Sequence, residues 1–300
     1  MILAVKIDVD TYRGTREGTP RLVELLKRHN AGATFLFSLG PDHTGRAIAR
    51  VFRPGFLGKV KRTSVLKHYG LRTVLYGTLL PGPDIGRRCA AEMRAARDAG
   101  FEVGIHCWDH VRWQDRVALE DADWTEREMR RAFERFERVF NDRPGTWGAA
   151  GWQTNRHAAW VEENSFPYAS DTRGHCPFKP LWEGVAIGCP QLPTTLPTLD
   201  ELIGLDGVDE SNVSEKLLGL TSDKRDHVFT AHAELEGGKF FDAFDALLAG
   251  WKAQGYTIVG LSGLYRTLDV SKLPRHDVIY GEIPGRSGKL ALQCEIEVPK

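Results

Sequence analysis

Three hundred residues with 42% apolar content suffice for one large α/β domain or two small ones around a sizeable core. Lys plus Arg equals Asp plus Glu at 40 each, so global charge selects no partner and gives no ground for nucleic-acid binding. Five scattered cysteines without a CxxC pair argue against a disulfide framework or a cysteine zinc knuckle; with no secretory leader and no long apolar span, they predict a cytoplasmic protein.

The first strand is expected in ILAVKIDV, where Ile2, Leu3, Ala4, Val5 and Ile7 suit a buried parallel strand and Lys6 interrupts the run. Asp8 and Asp10 follow, and residues two apart on an extended chain share a face. Such a pair repels unless a cation or a proton lies between the carboxylates. Thr19 and Pro20 predict the N-cap and first position of a helix over 20–29, closed by Asn30. ATFLFS (33–38) reads as the second strand. Asp84 predicts the cap of a helix over 85–99 that stops at Gly100, and FEVGIH (101–106) the next strand. Thr125 opens a charged helix to residue 140, with Met129, Phe133, Phe136 and Phe140 as its core stripe. A strand over 228–233, a helix over 240–254 and a strand over 256–262 follow. Strands alternating with helices predict a parallel sheet covered by helices, open or closed into a barrel. From about residue 269 the alternation is lost, and one further strand is expected within 289–298.

In such sheets chemistry gathers at the carboxyl ends of the strands. Polar residues mark three of those ends: Asp8 and Asp10, then His106 with His110 in HCWDH, then His232 in VFTAHA. If the chain turns helical after His106, the i, i+4 spacing puts both imidazoles on one face. Two histidines and a carboxylate are a common ligand set for a divalent cation with positions open to water. A bound cation stabilises both aspartates as carboxylates, one ligating and the other free to take a proton. Plainer readings compete: a chance HxxxH on a surface helix, an Asp-x-Asp turn, a small buried Cys107, and tryptophans that line the core. The coincidence of these signals at three strand ends favours one shared mouth.

IDVD, HCWDH and FTAHA, in that order, resemble the polysaccharide deacetylases of the NodB-homology group over roughly residues 1–265. The resemblance implies a distorted (β/α) barrel that removes acyl groups from amide nitrogens on sugars with one divalent metal. It implies Asp8 as general base, Asp10, His106 and His110 as metal ligands, and His232 as the acid that protonates the leaving amine. The longer strings DVDTYRGTREGTPRL, AAGW, SDTRG, PTTLPTLDE and HAELEG resemble a deformylase branch of that family. That branch implies undecaprenyl-phosphate-linked 4-deoxy-4-formamido-L-arabinose as substrate, on the route that decorates lipid A with aminoarabinose and confers polymyxin resistance. It also implies peripheral attachment at the cytoplasmic face of the inner membrane. The donor set accepts zinc, cobalt, manganese, iron or nickel.

Where the family carries an Arg-x-Pro-aromatic motif, this chain reads Ala149, Ala150, Gly151, Trp152. The arginine that holds the base aspartate is missing; Arg173, near Asp171 in SDTRG, is the candidate replacement. Trp152 keeps the aromatic and offers its backbone N–H to an oxyanion. Cys107 stands where a Ser or Thr is usual. The domain reading is a barrel over 1–268, including a basic insertion at 43–83, and a C-terminal extension over 269–300. From His43 to Pro83 there are eight Lys/Arg residues and no Asp or Glu, interleaved with apolar and aromatic residues such as Phe52, Phe56, Val60 and Tyr69. That mixture suits contact with an anionic membrane surface, against a solvated basic insertion or a nucleic-acid patch. Arg13 and Arg16 are candidates to hold a substrate phosphate, against an ordinary salt bridge. Two further functions stand beside the deformylase: a soluble deacetylase of another N-acylated sugar, and a non-catalytic metal- or membrane-binding barrel.

Overall fold

The buried apolar run at the amino terminus forms β1 (Ile2–Val9), the centre of a parallel sheet. Around it lie β2 (Thr34–Ser38), β3 (Glu102–Cys107) and β6 (His227–His232) in the order β3–β2–β1–β6. A short strand, β7 (Thr257–Val259), pairs with the first residues of β1. The computed structural model describes residues 1–51, 73 and 75–294. Every pairing in this sheet is parallel. Parallel neighbours need crossovers, and the helices Thr19–Arg28, Ala90–Asp98, Ala122–Phe140 and Phe241–Ala253 each bury apolar residues. Phe136, Phe140, Leu247 and Trp251 belong to one core that includes Leu3, Val5, Ile7 and Phe35.

Among the described residues the rest of the ring forms no ladder. Single parallel bridges join Ile105 to Trp147, Trp147 to Ala169, and Ala169 to Gln191. The Thr195 N–H then donates to the Val228 carbonyl of β6 at 3.0 Å. The sheet thus closes as a distorted barrel, regular on one side and bridged residue by residue on the other.

A second sheet joins β4 (Lys179–Trp182), β5 (Val185–Ala186), β8 (Arg275–Gly281) and β9 (Leu290–Gln293) in the order β5–β4–β8–β9. Arg173 stitches it to the barrel: its N–H donates to Ala291 O and its carbonyl accepts from the Gln293 N–H. The boundary expected near residue 268 therefore separates strands that share a sheet with residues 179–186.

Helix ends differ from expectation where two caps competed. The charged helix begins at Ala122, because Asp121 accepts the Trp124 N–H; Thr125 lies inside the first turn and donates to the Asp121 carbonyl. Thr19 is already helical, since a π-turn over Gly14–Gly18 runs directly into it. Asp84 does cap a helix, by accepting the Arg87 N–H, but that helix is only Ile85–Arg88; the single helix expected over 85–99 is broken at Cys89, and Ala90–Asp98 is a separate one. Residues 52–72 and 74, most of the basic segment 43–83, lie outside the described residues, as does the end of the strand expected to 298. Among the described residues no helix is long and apolar enough to cross a membrane.

Candidate active site

Alternation along β1 puts Lys6 and Asp8 on one face, and Asp10 follows just past the strand end. Lys6 is fully buried. Its Nζ donates to Ser170 O at 3.0 Å and lies 3.6 Å from Asp8 Oδ2. A buried ammonium persists only with such partners, so the lysine that interrupts the apolar run is the counter-charge of the first carboxylate. The other oxygen, Asp8 Oδ1, is buried and receives no hydrogen bond among the described residues. Glu234 fixes the next turn. Its Oε1 accepts the Asp10 N–H at 3.1 Å, the Thr11 N–H at 2.8 Å and the Thr11 hydroxyl at 2.7 Å. Glycine at position 14 leaves room for this carboxylate, since a Cβ there would lie 1.9 Å from Glu234 Oε1 and displace it. Burial, then the nearby Asp10 charge, pushes the Glu234 carboxyl up to about 8.

His106 lies on β3, and His110 is the first residue of the helix His110–Arg116, capped by Asp109. The chain does not turn helical at His106. A strand–turn–helix corner brings the two imidazoles together, with ring centroids 5.3 Å apart. Asp10 stands between them: His106 Nε2 is 3.2 Å from Oδ1 and His110 Nε2 is 3.4 Å from Oδ2. These three side chains offer ligand atoms all within 4.8 Å of one another.

The hydrogen bonds test whether a metal fits. His106 Nδ1 meets the Gly148 carbonyl at 2.6 Å; a carbonyl only accepts, so Nδ1 carries a proton and Nε2 is the nitrogen that faces Asp10. At 3.2 Å from the carboxylate oxygen, Nε2 calls for a positive species in the contact, either a proton of its own or a divalent cation bound by both groups. Asp10 Oδ1 is likewise buried with no donor among the described residues. The donor set is that of a divalent metal with open positions, and the N–H···O=C bond is the outer support such ligands use. The residues fit. Burial opposes charge on Asp10, yet His110 and His106 hold its carboxyl well below the usual range. Burial also lowers the His110 imidazole, and it is the neutral form of a histidine that ligates.

β6 supplies the group opposite. In the parallel register Asp8 pairs with His232. Burial alone would depress the His232 imidazole, but the carboxylates of Asp200, Asp10, Glu236 and Asp8 together push it up to about 9. Asp200 Oδ1 lies 3.9 Å from His232 Nδ1, and Glu236 accepts the His232 backbone N–H at 2.7 Å. The Trp152 ring meets the His232 ring edge-on at 6.4 Å.

The AAGW loop hangs on Asp171, whose Oδ1 accepts the Ala149 N–H at 2.6 Å and whose Oδ2 accepts from Gln191 at 3.0 Å. Gly151 and Trp152 both have positive φ, 63° and 53°; the strained tryptophan conformation buries the indole, which donates to the Thr194 hydroxyl at 3.1 Å. Its backbone N–H donates to Ala149 O at 3.1 Å. That corrects the oxyanion expectation, since this donor is already spent within its own turn. Arg173 is corrected too. It grips Glu201 through both carboxylate oxygens, at 2.7 and 2.8 Å, and Lys6, not Arg173, faces Asp8. Arg13 and Arg16 stand on an exposed turn and pair locally, with Glu17 at 2.9 Å and the Tyr12 hydroxyl at 2.7 Å. Arg286, from the segment between β8 and β9, lies over the Trp152 ring at 4.3 Å and 3.3 Å from Glu201, so the C-terminal segment reaches the rim of the site.

Lys6, Asp200, Glu234 and Glu236 carry no spacing signal; only Lys6, a cation inside an apolar run, was conspicuous in the sequence.

A family model described as polysaccharide deacetylase matches residues 7–159. A Shewanella sediminis (strain HAW-EB3) protein named "Probable 4-deoxy-4-formamido-L-arabinose-phosphoundecaprenol deformylase ArnD" is 36% identical over 98% of this chain and 95% of its own length. A protein of the same name from Wigglesworthia glossinidia brevipalpis is 31% identical over 94% of this chain and 99% of its own. Among solved structures, a Mycobacterium smegmatis protein placed with the polysaccharide deacetylases has a TM-score of 0.63 and 17% identity across 94% of each chain, a likeness of fold.

Proposed function

This chain belongs to the polysaccharide deacetylase family, and from that premise we propose that it is a metal-dependent deformylase of undecaprenyl-phosphate-linked 4-deoxy-4-formamido-L-arabinose. The product is the 4-amino sugar lipid used to modify lipid A. One observation carries the reading: near-full-length likeness to proteins bearing that deformylase name, in a chain whose Asp10, His106 and His110 converge beside Asp8 and His232.

A formamide carbon is a weak electrophile and neutral water a weak nucleophile. A divalent cation held by Asp10, His106 and His110 supplies Lewis acidity that makes the carbonyl more electrophilic and water more acidic. Zinc, cobalt, manganese, iron and nickel all suit that donor set. Asp8 takes the proton from the attacking water through Oδ1, the oxygen that receives no hydrogen bond among the described residues, while Lys6 steadies Oδ2. His232 gives its proton to the sugar nitrogen as the C–N bond breaks, so that nitrogen leaves as an amine rather than an amide anion. Asp200 and Glu236 hold His232 in its protonated form. Formate is the second product. Arg13 and Arg16 lie one turn beyond Asp10, and swinging away from Glu17 and Tyr12 would free them for the lipid phosphate. The basic, apolar segment 43–83 supports contact with the anionic membrane surface in which that lipid resides.

The test is formate release from the formamido-sugar lipid by metal-stripped and reloaded enzyme. Activity that vanishes on stripping and returns on reloading is the expected result. Acetate release from soluble N-acetylated sugars without formate release from the lipid would shift the assignment to a soluble deacetylase, and absence of both would leave a binding protein. Flotation with anionic liposomes, against neutral ones, reads the membrane contact separately.

A further inference from the structure

We propose that His175, Cys176 and His276 form a second metal site that takes a zinc-class divalent cation and ties the SDTRG segment to β8. The site lies outside the catalytic cluster and does not rest on the deformylase reading.

His175 and Cys176 follow Arg173, the residue that stitches barrel to second sheet, and His276 is the second residue of β8. Each offers a ligand atom, and all three atoms lie within 4.8 Å of one another. Bonds of about 2.0 Å to nitrogen and 2.3 Å to sulfur in a tetrahedral site require ligand atoms roughly 3.5 Å apart, so side-chain rotations of about an ångström close it. The two imidazoles meet edge to face with centroids 5.5 Å apart. All three side chains are partly accessible, which gives an ion a way in.

The surroundings resemble the support of a built site. His276 Nδ1 meets the Cys294 carbonyl at 2.6 Å. A carbonyl can only accept, so Nδ1 is the protonated nitrogen and Nε2 carries the lone pair. This N–H···O=C brace is how metal-binding histidines are oriented. Gln293 does the same for the cysteine. Its Nε2 donates to Cys176 Sγ at 3.4 Å, while its Oε1 accepts the His175 and Cys176 N–H groups at 2.8 and 3.3 Å. One amide thus fixes the loop backbone and aims a donor at the sulfur. Gly174 permits this approach, since a Cβ there would lie 2.3 Å from Gln293 Oε1.

One sulfur with two imidazole nitrogens selects zinc over hard cations and leaves a fourth position for water. On binding, the thiol gives up its proton to solvent and the sulfur ligates as thiolate. The catalytic cluster has no sulfur ligand, and that difference supplies the assay.

Full-length protein is stripped of metal and titrated with zinc, then with cobalt(II). The expected result is about two zinc ions per chain and, with cobalt, a near-ultraviolet thiolate-to-metal charge-transfer band. Cys176→Ser and His276→Ala should each bind one zinc fewer, and Cys176→Ser should lose the band. His106→Ala should also bind one fewer, yet keep the band. Circular dichroism of stripped wild type and Cys176→Ser should coincide, showing that the variant folds. Two results overturn the proposal: a single zinc per wild-type chain with no thiolate band, or a band that persists in Cys176→Ser.

Discussion

The two halves of the barrel hold their functional residues by different means. On the laddered half, β3, β2, β1 and β6 are paired in parallel register, and Asp8, His106 and His232 project from strands whose opposite face packs into the apolar core through Leu3, Val5, Ile7, Phe35, Ile105 and Phe229. On the bridged half, Trp147, Ala169 and Gln191 meet their barrel neighbours through single bridges, and buried polar side chains do what a ladder would do. Asp171 and Gln191 join the AAGW loop to the next segment, while the hydroxyl of Ser170 donates to Leu192 O and that of Thr194 pairs with Thr230. The first half places atoms by backbone repetition, the second by individual hydrogen bonds. A mutation should therefore separate stability from turnover differently in each.

The largest effects should come from the ends of the laddered half. Asp10→Ala, His106→Ala or His110→Ala should lose metal and formate release together, read by elemental analysis beside the assay. Asp8→Asn should keep its metal and lower kcat by about 10²–10⁴-fold; full activity with metal bound would remove Asp8 from the base role. Lys6→Met leaves Asp8 without its counter-charge. It should lower kcat by roughly 10–100-fold with KM little changed, and Lys6→Arg should recover part of the loss. A matched pair then tests the comparison itself. Leu3→Ala, in the ladder, should cost about 2–5 kcal/mol in urea denaturation while folded molecules turn over normally. Asp171→Ala should cost only about 1–3 kcal/mol, for the orphaned Ala149 N–H and Gln191 amide, yet depress kcat. If both variants lose stability and activity in proportion, the distinction between the halves fails.

A pH signature should also sit on the bridged half. Burial, then the facing Asp171 carboxyl, raises Glu162 well above its ordinary value of 4.5, so the native state keeps a proton that the unfolded chain releases. The stability this gives is whole below about pH 4.5 and is lost as pH climbs toward the folded value. Glu162→Gln, with its hydrogens permanent, should flatten the fall of the stability curve that begins above about pH 4.5. The smallest effect is expected outside both halves. Arg13→Ala should move stability by less than about 0.5 kcal/mol, because its pair with Glu17 is exposed; a rise of about tenfold in KM for the lipid would mark the phosphate contact.

Asp8, Asp10, His106, His110 and His232 could be picked out from the sequence because apolar runs end in them, and a run long enough to be buried announces its own end. The strands around them were legible for the same reason, within a residue or so. β8 was not, since its burial follows no alternation and only Val278 is fully covered. Asp200 and Glu236 owe their importance to His232, which folding brings close and no spacing records. Lys6 was visible yet unassignable: its partner Ser170 is 164 positions away. His175 and His276 are separated by a hundred residues, with the turn of a second sheet between them.

The position of β1 governs how the enzyme can come apart. Flanked along its length and buried from Leu3 to Val9, it has no free edge from which to fray, so its amide protons should exchange with solvent only through opening of the whole domain. Asp8, and Asp10 just past the strand end, to which the proposed reaction assigns proton abstraction and metal binding, ride on the last element to yield. If the proposed lipid substrate needs the barrel to open, that opening is expected on the bridged side, around Trp147, Ala169 and Gln191, away from Asp8 and Asp10.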